Sequence, residues 1–302
     1  MEVQIPLVLF TLFLCLANGL MGFQGLMLVM RKGDNRFHLV TLVVCAVVLA
    51  IGGIAVFTHL EHWERIFNGF GQIHSGITHE LILVVVMVVA LVAAFVVAWK
   101  GREQGTVPSK AFGVAFIVIA LVGGFVTAHS YDMYSRPAWS NVFLYLYYFA
   151  SELILGAAGI WAMTALMKQD AEVNSLFGKL TLVMAVVYTV VSVAAMMFIT
   201  GIEPTVIDGI TFYTYDPTHP AVDPAADLAA AWSGEAAGLF WGGAVVVGGV
   251  IPVVVGAVAA VRAKLAENPA LPVVALVAAL IGNVCYRVAL YIVGIASYVY
   301  FF

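Results

Sequence analysis

The sequence predicts an all-α polytopic membrane protein with eight transmembrane helices. Three observations carry that reading. Hydrophobic residues make up 63% of the 302 and charged residues only 10%, far from the composition of a soluble domain. Mean hydropathy is +1.05. The apolar residues also fall into eight separate stretches, each long enough to cross a hydrocarbon core about 30 Å thick. No solenoid repeat or low-complexity tract interrupts them, so residues 1–302 are expected to form a single integral membrane domain.

The expected spans are residues 5–30, 37–59, 77–100, 110–131, 142–167, 179–202, 236–261 and 271–301. The first is read as a span rather than a cleavable signal, because its leader, Met1-Glu2-Val3-Gln4, is acidic and the stretch runs straight into Arg31-Lys32. The loops after the first, third, fifth and seventh spans hold Arg31, Lys32, Arg36, Lys100, Arg102, Lys110, Lys168, Lys179, Arg262 and Lys264. The opposite loops hold only Arg65 and Arg136. By the positive-inside rule both termini then face the outer, periplasmic side of a bacterial cytoplasmic (inner) membrane. A net charge of −4 says nothing about nucleic acid, because the charges sit in loops. Cys15, Cys45 and Cys285 lie in apolar runs without metal-ligand spacing, so neither a disulfide framework nor an iron–sulfur cluster is expected within this chain.

Between the second and third spans lies the densest polar segment, residues 59–80, with four of the seven histidines. Leu60, Trp63, Ile66, Phe67, Phe70 and Ile73 recur at the spacing of one helical face. That pattern predicts a short interfacial helix lying along the membrane surface with its aromatic side down. Two further outward clusters accompany it. One is the loop His129 to Trp139, with Tyr131, Arg136 and Trp139. The other is Asn283, Arg287 and Tyr291, spaced i, i+4, i+8 on one face of the last span. Arg287 sits about 24 Å along that span from its inner end, deep enough to require a cavity or a partner.

Carboxylates, imidazoles, arginines and tyrosines around an aromatic floor suit an amphipathic ligand that carries protons, and a quinol is the obvious candidate. Its oxidation releases two electrons and two protons, so the site needs a proton acceptor beside a lipid-accessible slot. Glu80, in the first turn of the third span, is the best-placed acceptor. His59, at the outer end of the second span, can hydrogen-bond the other quinol oxygen. Arg65, Asn68, Tyr131, Arg136, Arg287 and Tyr291 are candidate quinol-binding residues, and Trp139 is a candidate aromatic anchor for a docked partner. Depth along the spans further suggests that Glu152 neutralises Arg287 across a helix interface.

At this point the sequence meets a family. His59-Leu60, then Arg65-Ile66-Phe67-Asn68, then Glu80 resembles the signature of the membrane anchor subunits of the dimethyl sulfoxide reductase family. Arg136-Pro137-Ala138-Trp139, and Arg287 with Tyr291, resemble it too. The resemblance implies an anchor that oxidises menaquinol without haem. Electrons would pass to an iron–sulfur electron-transfer subunit and on to a molybdopterin catalytic subunit, both docked on the outer face. It puts Glu80 on the carboxylate and His59 on the histidine of the quinol site. The chain departs from the family pattern at Asn283, where a carboxylate would stand one turn before the arginine. Two other classes stay open at this stage. One is a cytochrome b-type anchor, which would need axial histidines such as His59 and His129. The other is a secondary transporter built around Glu152 near the midplane.

Overall fold

A computed structural model of the chain describes residues 3–59, 62, 68, 70–203 and 224–294. Its helices are α1 (Ile5–Met30), α2 (Asn35–Phe57), α3 (Gly76–Lys100), α4 (Lys110–Tyr131), α5 (Val142–Leu166), α6 (Ala171–Thr200), the short α7 (Pro224–Ala229), α8 (Gly238–Val261), the short α9 (Ala263–Ala266) and α10 (Ala270–Val293). Among the described residues there is no strand. Eight of the helices are long and apolar enough to cross a membrane, so the expected set of spans is present.

Where bounds differ from the hydropathy reading, the reason is physical. α6 begins at Ala171 rather than at residue 179, because helix and hydrocarbon are different things. Its first two turns bury Val173, Asn174 and Phe177 while Glu172 and Lys179 stay outside. α10 is described to Val293, and the rest of the expected last span lies outside the described residues. The interfacial helix expected within residues 59–80 falls largely on 60–61, 63–67 and 69, which also lie outside them.

The spans form two rings of four. α1, α2, α3 and α4 pack around one another, and α5, α6, α8 and α10 do the same, with α1 against α5 as the main seam. α1 and α5 are correspondingly the most buried spans, while α2 and α3 present rows of valine and isoleucine outward. Small residues make the seam possible. A Cβ added to Gly19 of α1 would lie 2.2 Å from the Glu152 carbonyl oxygen of α5, and one added to Gly156 would lie 2.4 Å from the Gly19 backbone. Without a hydrophobic drive between helices in lipid, such close backbone approach supplies the contact area. α8 is a π-helix over Gly238–Val250 and α-helical from Ile251. Pro252 explains the switch: it has no N–H to give and its ring collides with the carbonyl four residues back, so the preceding turns take a wider register.

The loops after α1, α3 and α5 meet at one end. Arg31 closes α1 in the left-handed conformation at φ 55°, Asp34 caps α2 by accepting from the Phe37 N–H at 2.8 Å, and Asn35 donates to the Ala98 carbonyl at 3.0 Å. Lys32 reaches Glu172 at 2.8 Å, and that carboxylate holds the lysine above its ordinary pKa. At the other end Ser130 of α4 bonds Gly76 of α3, and Arg136 bonds the Gly294 carbonyl beyond α10. This second end carries the candidate site.

Candidate functional site

A cavity of ≈ 530 Å³ opens at that end, between α1, α2, α3 and α4. Leu7 and Phe10 of α1 form its back. Gly53, Val56 and Phe57 of α2, then His59 and His62, form one side. Ile77, Glu80, Leu81 and Val84 of α3 form the other, and Ser130, Tyr131 and Met133 close the top. Its walls are apolar apart from Glu80, the two histidines, Ser130 and the tyrosine. Phe57 and Ile77 are 41% and 65% exposed, which puts a lipid-facing rim where α2 and α3 diverge. A Cβ built on Gly53 meets nothing within 4 Å, so that glycine keeps the floor open. Size, apolar lining and few polar groups are the usual features of a small-molecule site.

Glu80 is the polar centre of this space. It is 7% exposed, and its Oε1 has no hydrogen-bond partner among the described residues. Helix geometry puts it there: Ile77, Glu80, Leu81 and Val84 fall at i, i+3, i+4 and i+7, the one face of α3 that the cavity takes. Ser130 stands opposite, fixed where α4 crosses α3. Its hydroxyl donates to the Gly76 carbonyl at 3.0 Å and to its own helix at Val126, 3.1 Å. A Cβ on Gly76 would come within 2.7 Å of Ser130 Cα, so the crossing requires glycine. A carboxyl with one free oxygen facing an apolar cavity can accept a proton from a bound hydroxyl.

The other expected site residues divide. His59 and Tyr131 line the cavity with Glu80. Asn68 is exposed and does not line it, and Arg65 lies outside the described residues. Tyr131 stacks on Tyr148, with ring centroids 5.9 Å apart at 27°, and borders Trp139 at 6.3 Å. Behind that wall Trp139 meets Tyr291 edge to face at 5.1 Å, and the Arg136 guanidinium lies 4.9 Å over the indole. Arg136 and Tyr291 therefore support the wall rather than line the cavity.

Three expectations are corrected. Trp139 is not an exposed anchor: it is 2% exposed and its indole N–H donates to the Leu290 carbonyl at 2.9 Å, so it ties the α4–α5 loop to α10. Arg287 does not reach the cavity either. It is 2% exposed where α1, α5 and α10 meet. Its Nε donates to Thr11 Oγ1 at 3.1 Å, Nη1 to the Tyr147 hydroxyl at 2.8 Å and Asn283 Oδ1 at 2.9 Å, and Nη2 to Ser151 Oγ at 3.1 Å and Cys15 Sγ at 3.3 Å. Finally, Glu152 does not neutralise it. The Glu152 carboxyl faces Gly124 of α4, beside Asn18, which packs against Gly123, and its Oε2 lacks a hydrogen-bond partner among the described residues. The α5 side chains that serve Arg287 are Tyr147 and Ser151, the latter one residue before Glu152. The histidine pair a haem would require is not assembled at the cavity. His59 lines it, while His129 stacks on His79 and Phe125, at 5.8 and 6.0 Å. Among the described residues no cluster of three or more His, Cys, Asp or Glu is placed to hold a metal ion.

Fold and site together define a multi-pass, all-helical membrane protein with an apolar cavity at one end. A family model described as DMSO reductase anchor subunit (DmsC) matches residues 1–292, and the chain belongs to that family. It is thus a membrane anchor of a DMSO reductase-type complex, whose partner subunits carry the molybdopterin and iron–sulfur centres. No curated protein matches the chain.

Proposed function

We propose that this chain oxidises menaquinol in the Glu80 cavity and passes the electrons to an iron–sulfur subunit docked over that end, from which they reach a molybdopterin subunit. The observation that carries the reading is Glu80 itself, a carboxyl with an unpartnered oxygen on the wall of an apolar, lipid-rimmed cavity. The quinol enters between α2 and α3, past Phe57 and Ile77. Glu80 takes the proton of one hydroxyl, His59 hydrogen-bonds the other oxygen, and Tyr131 supports the ring. Arg287 acts at a distance, holding α1 and α5 in register behind the cavity. The positive-inside rule orients the molecule, because Arg31, Lys32, Lys100, Arg102 and Lys168 lie at the end opposite the cavity. The cavity and both termini then face the periplasm from a bacterial inner membrane, with residues 1–302 acting as one integral domain.

Glu80→Gln tests this. The amide keeps the shape of the carboxyl and removes its basicity. In the assembled complex, quinol-dependent turnover should fall by more than about tenfold, since a positioned base contributes about 10²–10⁴. Reduced dyes that feed the iron–sulfur subunit directly should support undiminished activity. Quinol turnover at the unsubstituted rate would remove Glu80, and with it this reading.

A further inference from the structure

We propose that His79, His129, Tyr145 and Asp132 form the relay that carries protons from the Glu80 cavity to outer water, an inference that rests on the cavity's being a quinol-oxidising site. The geometry begins at the α3–α4 crossing. On its inner side, Glu80 and Ser130 face the cavity. On its other side the preceding residue of each helix, His79 and His129, stacks with ring centroids 5.8 Å apart at 24°. The crossing therefore presents a carboxyl and a hydroxyl inward and two imidazoles outward, one residue apart along each helix. From there a bonded line continues. His129 Nδ1 lies 3.3 Å from the Tyr145 hydroxyl, and that hydroxyl donates to Asp132 Oδ2 at 2.9 Å. Asp132 Oδ1 is buried without a hydrogen-bond partner among the described residues, while the residue as a whole is partly exposed. Phe125 plates the far face of His129 at 6.0 Å and 10° and touches Tyr145 at 5.4 Å.

The chemistry of the line fits transfer in one direction. Glu80 is 7% exposed and shares its cavity with Leu81, Val84, Phe10 and Tyr131, so a proton it has taken needs an exit. An imidazole accepts at one nitrogen and donates from the other. With a proton on both nitrogens, His129 donates Nδ1–H to the tyrosine oxygen, the tyrosine O–H passes to Asp132, and Asp132 releases to water. Each donor regains its starting form. Two stacked imidazoles do not hold two charges easily, so the pair carries one excess proton at a time. The step from Glu80 starts at the Ser130 hydroxyl, which bonds the Glu80 side chain and directly follows His129 along α4. The balance closes per quinol: two O–H bonds break, two protons leave by this route one after the other, and two electrons go to the iron–sulfur partner as oxidant.

The test uses the assembled complex in membrane vesicles. His79→Ala with His129→Ala should lower quinol-dependent turnover by about tenfold or more and leave dye-fed activity intact. Imidazole added on the cavity side should restore at least part of the loss, because His129 is exposed. Tyr145→Phe keeps the ring against Phe125 and removes the hydroxyl, so it folds normally, and it should slow turnover with an enlarged solvent deuterium isotope effect. Wild-type turnover in the double variant, a loss that imidazole does not rescue, or an unchanged isotope effect in Tyr145→Phe would each overturn the relay. If Glu80→Gln stays slow in that same preparation, the cavity reading survives. If Glu80→Gln is also wild-type, both fall.

Discussion

Gly53→Leu isolates the cavity from everything else in the molecule. Gly53 lies in the middle of α2's last turns, half-buried, and a Cβ there meets no atom within 4 Å. Leucine consequently enters empty space, and replacing a helical glycine is worth about 1 kcal/mol in favour of the helix. The protein itself should lose no stability. The ligand should. Four added carbons must share a space of ≈ 530 Å³ with a quinol head, and forcing extra methylenes into filled space costs about 1–3 kcal/mol. At 1.4 kcal/mol per decade that is a rise of about 5- to 150-fold in quinol KM, with dye-fed activity unchanged. Gly242→Leu is the control, since a Cβ on that exposed glycine of α8 also meets nothing within 4 Å, away from the cavity lining. Thermal midpoints of both purified variants should match or exceed that of the unsubstituted protein. Equal KM values in the two variants would mean that the quinol sits elsewhere, whatever Glu80 does.

Three further outcomes follow from the packing. Trp139→Ala should destabilise this chain when it is purified without partners by about 3–5 kcal/mol, the range for truncating a buried tryptophan; a normal melt with selective loss of partner subunits would instead restore an anchoring role. In a double-mutant cycle Arg287→Met should couple to Ser151→Ala by about 0.6–1.7 kcal/mol, the span measured for polar contacts between membrane helices, and should add to Glu152→Gln within about 0.5 kcal/mol. The reverse pattern would put the ion pair back. Gly156→Val should prevent assembly of the α1–α5 seam, seen as loss of a monodisperse species in detergent, because its Cβ alone would already overlap the Gly19 backbone.

The spans were legible in the sequence because hydrocarbon thickness is a one-dimensional constraint, and hydropathy reads one dimension. Azimuth was not legible. Depth alone set Glu152 near Arg287, but one residue along a helix is a rotation of about 100°, enough to give Ser151 to the arginine and aim Glu152 at α4. The same limit applies to Trp139: a loop tryptophan reads alike whether it faces a partner or, as here, the Leu290 carbonyl. Glu80, His59 and Tyr131 come together at the cavity because each ends a span and faces one gap. His79 and His129 are a second case. Each stands directly before a cavity residue, Glu80 and Ser130, but only the α3–α4 crossing shows that the two doublets face each other.

The arrangement around Arg287 bears on how the chain is made. An arginine in a membrane helix costs up to about 2.5–3.5 kcal/mol, the figure for the helix centre on a translocon scale, and α10 leaves the ribosome after α1 and α5. By then α1 and α5 already present Thr11, Cys15, Tyr147 and Ser151 to the position the guanidinium will take. The helix that carries the buried arginine is therefore received by polar groups synthesised more than a hundred residues earlier, and its lateral entry completes their hydrogen bonding. A nascent chain halted before α10 leaves those groups without their guanidinium partner.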